Sequence, residues 1–135
     1  MLDPRRHAHP PALVEWLERN GASLFLSVMT IAELDSGVLK LRRERKTKRA
    51  VEIADLVTAI LTDFGDRVLA IDLETARHVA RLGAVTYRQP VALPDLIIAA
   101  TGVRHGLIVL TRNIRQFGRL GAPARDPFVE LPPDT

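Results

Sequence analysis

Three short apolar runs interrupt a chain whose other apolar residues recur at helical spacing: Leu24-Phe25-Leu26-Ser27, Arg67 to Ile71, and Leu107-Ile108-Val109-Leu110. None alternates polar with apolar, as a strand with one wet face would. Such runs suit strands covered on both faces, and strands alternating with helices form a parallel sheet. The expected fold class is α/β, with three layers and a central parallel sheet flanked by helices. Leu107–Leu110 is expected as a central, fully buried strand. Pro127–Leu131 is a candidate edge strand. At 135 residues the chain is expected to form a single domain over 1–135.

The helices follow from spacing and punctuation. Leu13, Val14, Trp16 and Leu17 give residues 11–19 an apolar side, and Asn20-Gly21 ends it. A helix is expected over about 30–43, with Thr30 as N-cap and Glu33 three residues on, the pattern of a capping box. Ala50, Ile53, Ala54, Val57, Ile60, Leu61 and Phe64 keep helical spacing through 47–64. Asp72 stands where an N-cap belongs before a helix over 73–87, whose Ala76, Val79, Ala80 and Gly83 form a small-residue face. Pro94-Asp95 opens a nearly all-apolar helix that Gly106 ends. Residues 4–11 read as irregular, and 111–117 as a turn with a short helix.

Composition narrows the chemistry. With no cysteine, disulfides and thiolate metal sites are excluded, and the four histidines (His7, His9, His78, His105) show no close helical pairing. Any metal is expected to be a hard cation on oxygen ligands. Aromatic residues make up 4%, too few for a base-stacking platform. No run of about 18 apolar residues exists to span a membrane, and the first residues lack the apolar core of a signal peptide, so a cytoplasmic protein is expected.

The net charge of +3 is uneven: Lys40–Arg49 holds seven basic residues and one acid, leaving the rest of the chain at −3. Such a patch suits either a polyanion or a plain solvated helix end.

In parallel sheets, ligands collect beyond the carboxyl ends of the strands. Three polar residues fall there: Glu33 on the helix after the first strand, Asp95 opening a buried helix, and Asn113 three residues past the last core strand. Each has an ordinary explanation: a capping-box acid, an acid favoured by a helix dipole, a turn residue. Their joint placement at one sheet edge is more informative than any one of them.

The strings SVMTIAELDSGV, PDLIIAATGVRHGL and VLTRNIRQF, with IDLETARHVARL between them, resemble the motif regions of PIN-domain ribonucleases, and most closely the VapC toxins of toxin–antitoxin pairs. The resemblance covers about residues 11–131. It implies a PIN-like parallel sheet with helices on both sides, and endonucleolytic cleavage of RNA with Mg²⁺ or Mn²⁺ held by acids. By motif, Glu33, Asp95 and Asn113 would be the catalytic positions, with Glu33 and Asp95 on the metal and Thr111 in support. The resemblance also implies a homodimer and a small cognate antitoxin lying across the active-site groove. Arg42, Arg43 and Arg45 of the basic stretch, with Arg112 and Arg115, are then candidate contacts for RNA phosphates or antitoxin carboxylates.

The resemblance has one departure. The family opens with a strand ending in Asp-Thr-Asn, whose aspartate is a principal metal ligand, whereas this sequence begins Met1-Leu2-Asp3-Pro4. Asp3 lies too close to Trp16 for that role, no apolar strand precedes it, and Pro4 cannot donate a ladder hydrogen bond. The expectation is a weakened or absent activity. Either the start of the sequence lies late, or the strand is missing. A second reading is a catalytically impaired relative that acts through dimerisation or by binding an antitoxin or another partner. A third, an unrelated binding module of receiver type, lacks the acidic pair after an early strand that it requires.

Overall fold

The computed structural model describes residues 11–135. The expectations that fall on residues 1–10, including the irregular start, Asp3, His7 and His9, lie outside the described residues. In chain order the elements are α1 (Pro11–Arg19), β1 (Leu26–Ser27), α2 (Val28–Arg43), α3 (Thr47–Phe64), β2 (Val68–Leu69), α4 (Leu73–Val85), α5 (Leu93–His105), β3 (Val109–Leu110), α6 (Ile114–Arg119) and β4 (Ala124–Arg125). Single 3₁₀ turns at Gly21–Ser23 and Gly65–Arg67 lead into β1 and β2.

The strands are parallel, but among the described residues they form two separate pairs rather than one sheet. β1 runs beside β2, with Leu26 opposite Val68, and β3 runs beside β4, with Val109 opposite Ala124. This corrects two expectations. Leu107–Leu110 contributes only Val109 and Leu110 to a strand, and it is not fully buried: these two residues are half-buried and Ile108 is 45% exposed. Full burial needs cover on both flanks as well as both faces, and among the described residues β3 has one strand neighbour, β4. The final strand is Ala124–Arg125, whereas Pro127–Leu131 forms a turn and an irregular tail. Phe128 N–H is held there by the Asp126 side chain and Val129 N–H by the Asp126 carbonyl.

Local chemistry explains the helix ends. α2 begins three residues earlier than the capping-box pattern implies. Ser27, extended at φ −78 and ψ 141, takes the N-cap, and its hydroxyl oxygen accepts from Met29 N–H at 3.0 Å. Thr30 and Glu33 are therefore inside the helix, and the Thr30–Glu33 capping box is not formed. Asp72 caps α4 as expected, accepting from both the backbone N–H and the hydroxyl of Thr75. Gly106 ends α5 in the left-handed conformation that favours glycine (φ 66).

Two apolar clusters stabilise the fold. The larger joins Val91, Leu96 and Ala99 to Phe117, Leu120 and Ala122, with Val79, Leu82 and Val109 packed against them. It fastens α4, α5, β3 and α6 together. The smaller lies between α2 and α3, at Val38, Ala50 and Ile53. The small-residue face of α4 does meet α5: Gly83 lies against Leu96, where an added Cβ would be 3.8 Å from Cδ1. α5 also contacts α2, β1 and β3, so it is the element common to both strand pairs.

Candidate active-site groove

A groove of about 1350 Å³ runs between the two strand pairs. One wall is Ser23–Ser27, and the facing wall is Gly106–Asn113. Its floor includes Ile98, Thr101 and Gly102 of α5, and α1 closes it with Leu13, Trp16 and Leu17. The N–H groups of Val109 and Thr111 go to Pro123 and Arg125 on the β4 side. Backbone groups alternate in direction along a strand, so the Leu110 N–H faces the groove.

At the carboxyl ends of β1 and β3 the lining turns polar, with Ser27, Thr30, Thr111, Arg112 and Asn113. Thr111 and Asn113 are joined locally, as the Asn113 N–H donates to the Thr111 hydroxyl at 3.0 Å. This leaves the Asn113 side chain exposed at the start of α6, where it makes no cap hydrogen bond. Glu33 stands one helical turn beyond Thr30 on α2 and is exposed.

Asp95 lies in the first turn of α5, half-buried, where the helix dipole favours a carboxylate. Its Oδ2 accepts a hydrogen bond from Nε2 of Gln116 on α6. Sequence reasoning did not single out Gln116. The signal was present in the spacing, since Gln116 follows Asn113 by one helical turn and therefore shares its face.

The candidate basic contacts separate. Arg112 lines the groove and stacks over the Phe128 ring, with its guanidinium carbon 4.6 Å from the centroid. Arg115 is exposed on α6. Arg42, Arg43 and Arg45 do not line the groove; they are exposed at the far end of α2 and in the turn after it. At about 1.5 Å per residue, α2 carries Arg42 roughly 18 Å from Thr30.

The other end of the groove is closed by the C-terminal tail. The Trp16 indole N–H donates to the Pro132 carbonyl at 2.8 Å. The buried Asn20 amide donates to Asp134 and to the Trp16 carbonyl, both at 2.9 Å, and accepts from Thr135 N–H at 2.8 Å. The Asn20 hydrogen bond, with Arg19 nearby, holds the Asp134 carboxyl below its usual range.

The available donors are oxygens, which suit a hard divalent cation. Among the described residues, however, no three His, Cys, Asp or Glu side chains are grouped so as to hold one. The carboxylates of Asp95 and Glu33 fit such a cation in kind, and two carboxylates would leave much of its shell to water or substrate oxygens.

Short parallel strands covered by helices, with polar residues gathered where the strands end, define an α/β protein with its site at the sheet edge. The family follows from comparison. The PIN domain model matches residues 1–123, and the chain belongs to the PIN-domain family. It is 31% identical to the VapC ribonuclease Y4jK of Sinorhizobium fredii, over 87% of this chain and 84% of that protein. Its fold is similar to the crystal structure of FitAcB from Neisseria gonorrhoeae, with a TM-score of 0.72 and 31% identity over 93% of this chain and 91% of that one. It is also similar to DNA-bound VapBC from Salmonella typhimurium, with a TM-score of 0.73 and 25% identity over 89% and 87% of the two chains.

Proposed function

We propose that this chain is a metal-dependent endoribonuclease toxin of a toxin–antitoxin pair. It acts as one domain in the cytoplasm, and a small antitoxin covers its groove. The observation that carries the reading is the Asp95 carboxylate at the opening of α5, hydrogen-bonded by Gln116 of α6, in a chain of the PIN-domain family. The names of the relatives agree with this: a VapC ribonuclease and the toxin FitB.

In this reading Asp95 and Glu33 hold Mg²⁺ or Mn²⁺, Asn113 offers an amide oxygen at the edge of the site, and Thr111 fixes the turn that presents Asn113. The cation supplies an activated water and relieves charge on the phosphate. Arg112 at the groove mouth meets RNA phosphates, with Arg115 beside it on α6. Arg42, Arg43 and Arg45 bind more distant phosphates or an acidic stretch of the antitoxin. A homodimer completes the assembly.

A catalytically impaired relative that works through dimerisation or partner binding is the second reading. The observation favouring it is that the described residues bring fewer than three acids together. RNA cleavage with Mg²⁺ or Mn²⁺ decides between them. Cleavage lost in Asp95→Ala supports the nuclease. Antitoxin binding without any cleavage supports the second reading.

A further inference from the structure

We propose that Gln116 is the positioning residue of the Asp95 carboxylate, a neutral hydrogen-bond donor that fixes its rotamer while leaving its charge and its second oxygen free for a cation. The proposal rests on the reading of Asp95 as a cation ligand. Gln116 and Asp95 are 21 residues apart, on different helices, and Gln116 Nε2 donates to Asp95 Oδ2. Among the described residues, the other hydrogen bonds between two side chains far apart in sequence all tie the C-terminal tail to Arg19, Asn20 and Ser23. The Asp95–Gln116 pair is thus the one of this kind outside the tail.

Gln116 is itself held firmly. The next residue, Phe117, is 3% exposed in the larger core cluster. One turn on, Arg119 donates to the Gln89 carbonyl at 2.7 Å, pinning α6 to the loop before α5. A donor mounted this way limits rotation of the Asp95 carboxylate. Its chemistry also matters. Lysine or arginine at this place would pair with the carboxylate and compete with a cation, whereas a carboxamide orients the group and adds no charge. A glutamate here would put a second acid within hydrogen-bonding range of Asp95.

The test is Mn²⁺ binding by the full chain, read as loss of the free-ion electron paramagnetic resonance signal. Thermal melting is followed in parallel, and the variants are Gln116→Met, Gln116→Glu and Asp95→Asn. Gln116→Met keeps length and packing but loses the donor, and it is expected to weaken Mn²⁺ binding by roughly tenfold, as outer-shell substitutions do. Gln116→Glu is expected to strengthen binding by a similar factor. A second readout requires neither metal nor a change at position 116: the side-chain amide resonances of Gln116 should shift in Asp95→Asn. Unchanged Mn²⁺ affinity in both Gln116 variants, with binding abolished in Asp95→Asn, would overturn the positioning role and leave Asp95 a ligand. Gln116 amide resonances indifferent to Asp95→Asn would overturn it as well. Mn²⁺ affinity unchanged in Asp95→Asn would instead refute the reading of Asp95 itself.

Discussion

Gly102 of α5 and Val109 of β3 touch so closely that a Cβ on Gly102 would lie 3.0 Å from Val109 Cγ2, with the Leu107 carbonyl oxygen at 3.5 Å. The helix is laid against the strand so closely that a methyl at position 102 would crowd Val109 by a few tenths of an ångström. Alanine would improve helix propensity by about 1 kcal/mol. Overpacking a filled interface costs about 1–3 kcal/mol, and here the backbone carbonyl limits retreat. Gly102→Ala is therefore expected to lower stability by about 1 kcal/mol in urea denaturation. A more stable variant would show that α5 and β3 can separate without cost.

Asn20 gives a second prediction. Its 3%-exposed amide serves α1 and the tail at once. Asn20→Ala leaves the Thr135 N–H without its acceptor and removes the bond to Asp134, while the Trp16 carbonyl keeps the backbone N–H of position 20, at an expected cost of about 2 kcal/mol. Deleting residues 131–135 in the native chain should reproduce most of that loss and shift Trp16 fluorescence to the red. Equal melting of the parent and the truncated chain would contradict the clasp.

Asp72 makes stability depend on pH. Its carboxyl is held below the ordinary aspartate range, first by the Thr75 N–H and hydroxyl, which outweigh the opposing effect of burial, and to a lesser degree by Arg104 and His105. A group whose folded pKa is depressed contributes stability above its unfolded pKa and loses it as pH falls through the folded value. Asp72→Ala should therefore melt lower than the parent at neutral pH. The two melting curves should draw together as the pH falls below the ordinary aspartate value of about 4. A gap that persists at that pH would mean that the cap acts through something other than ionisation.

The divided strands lead to a prediction for longer forms. An N-terminal extension of four or five apolar residues followed by Asp-Thr-Asn is expected to raise both the melting temperature and RNA cleavage. Such a segment can pair with backbone groups on both walls and bring an acid to the polar end of the groove. Robust cleavage by the 135-residue chain, lost in Asp95→Ala, would show that the residues already present suffice.

The helices were the legible part of the sequence. The limits of α3 follow from the apolar series Ala50 to Phe64, and the ends of α4 and α5 from Asp72 and Gly106, because these signals are local. The start of α2 was misplaced because Ser27 and Thr30 are both competent caps, and the end of β1 decides between them. Strand extent could not be read from Leu24–Ser27 or Leu107–Leu110, since apolar character does not reveal how many flanks are paired. In the site, Asp95 stood out from its helix opening, whereas Gln116 acquires its role only through a neighbour 21 residues away.

The split between the strand pairs also bears on how molecules behave toward one another. Unpaired strand flanks are templates for any extended chain, and proteins ordinarily blunt them with charge, proline or cover. Here the flanks without a strand partner among the described residues face one groove, with Phe25 and Ile108 exposed on its walls. In a concentrated solution the tail or an unfolded segment of a neighbouring molecule could lodge there. Solubility should then vary with protein concentration more steeply than a net charge of +3 would suggest. A bound peptide that satisfies both flanks would act as a solubiliser as well as a ligand.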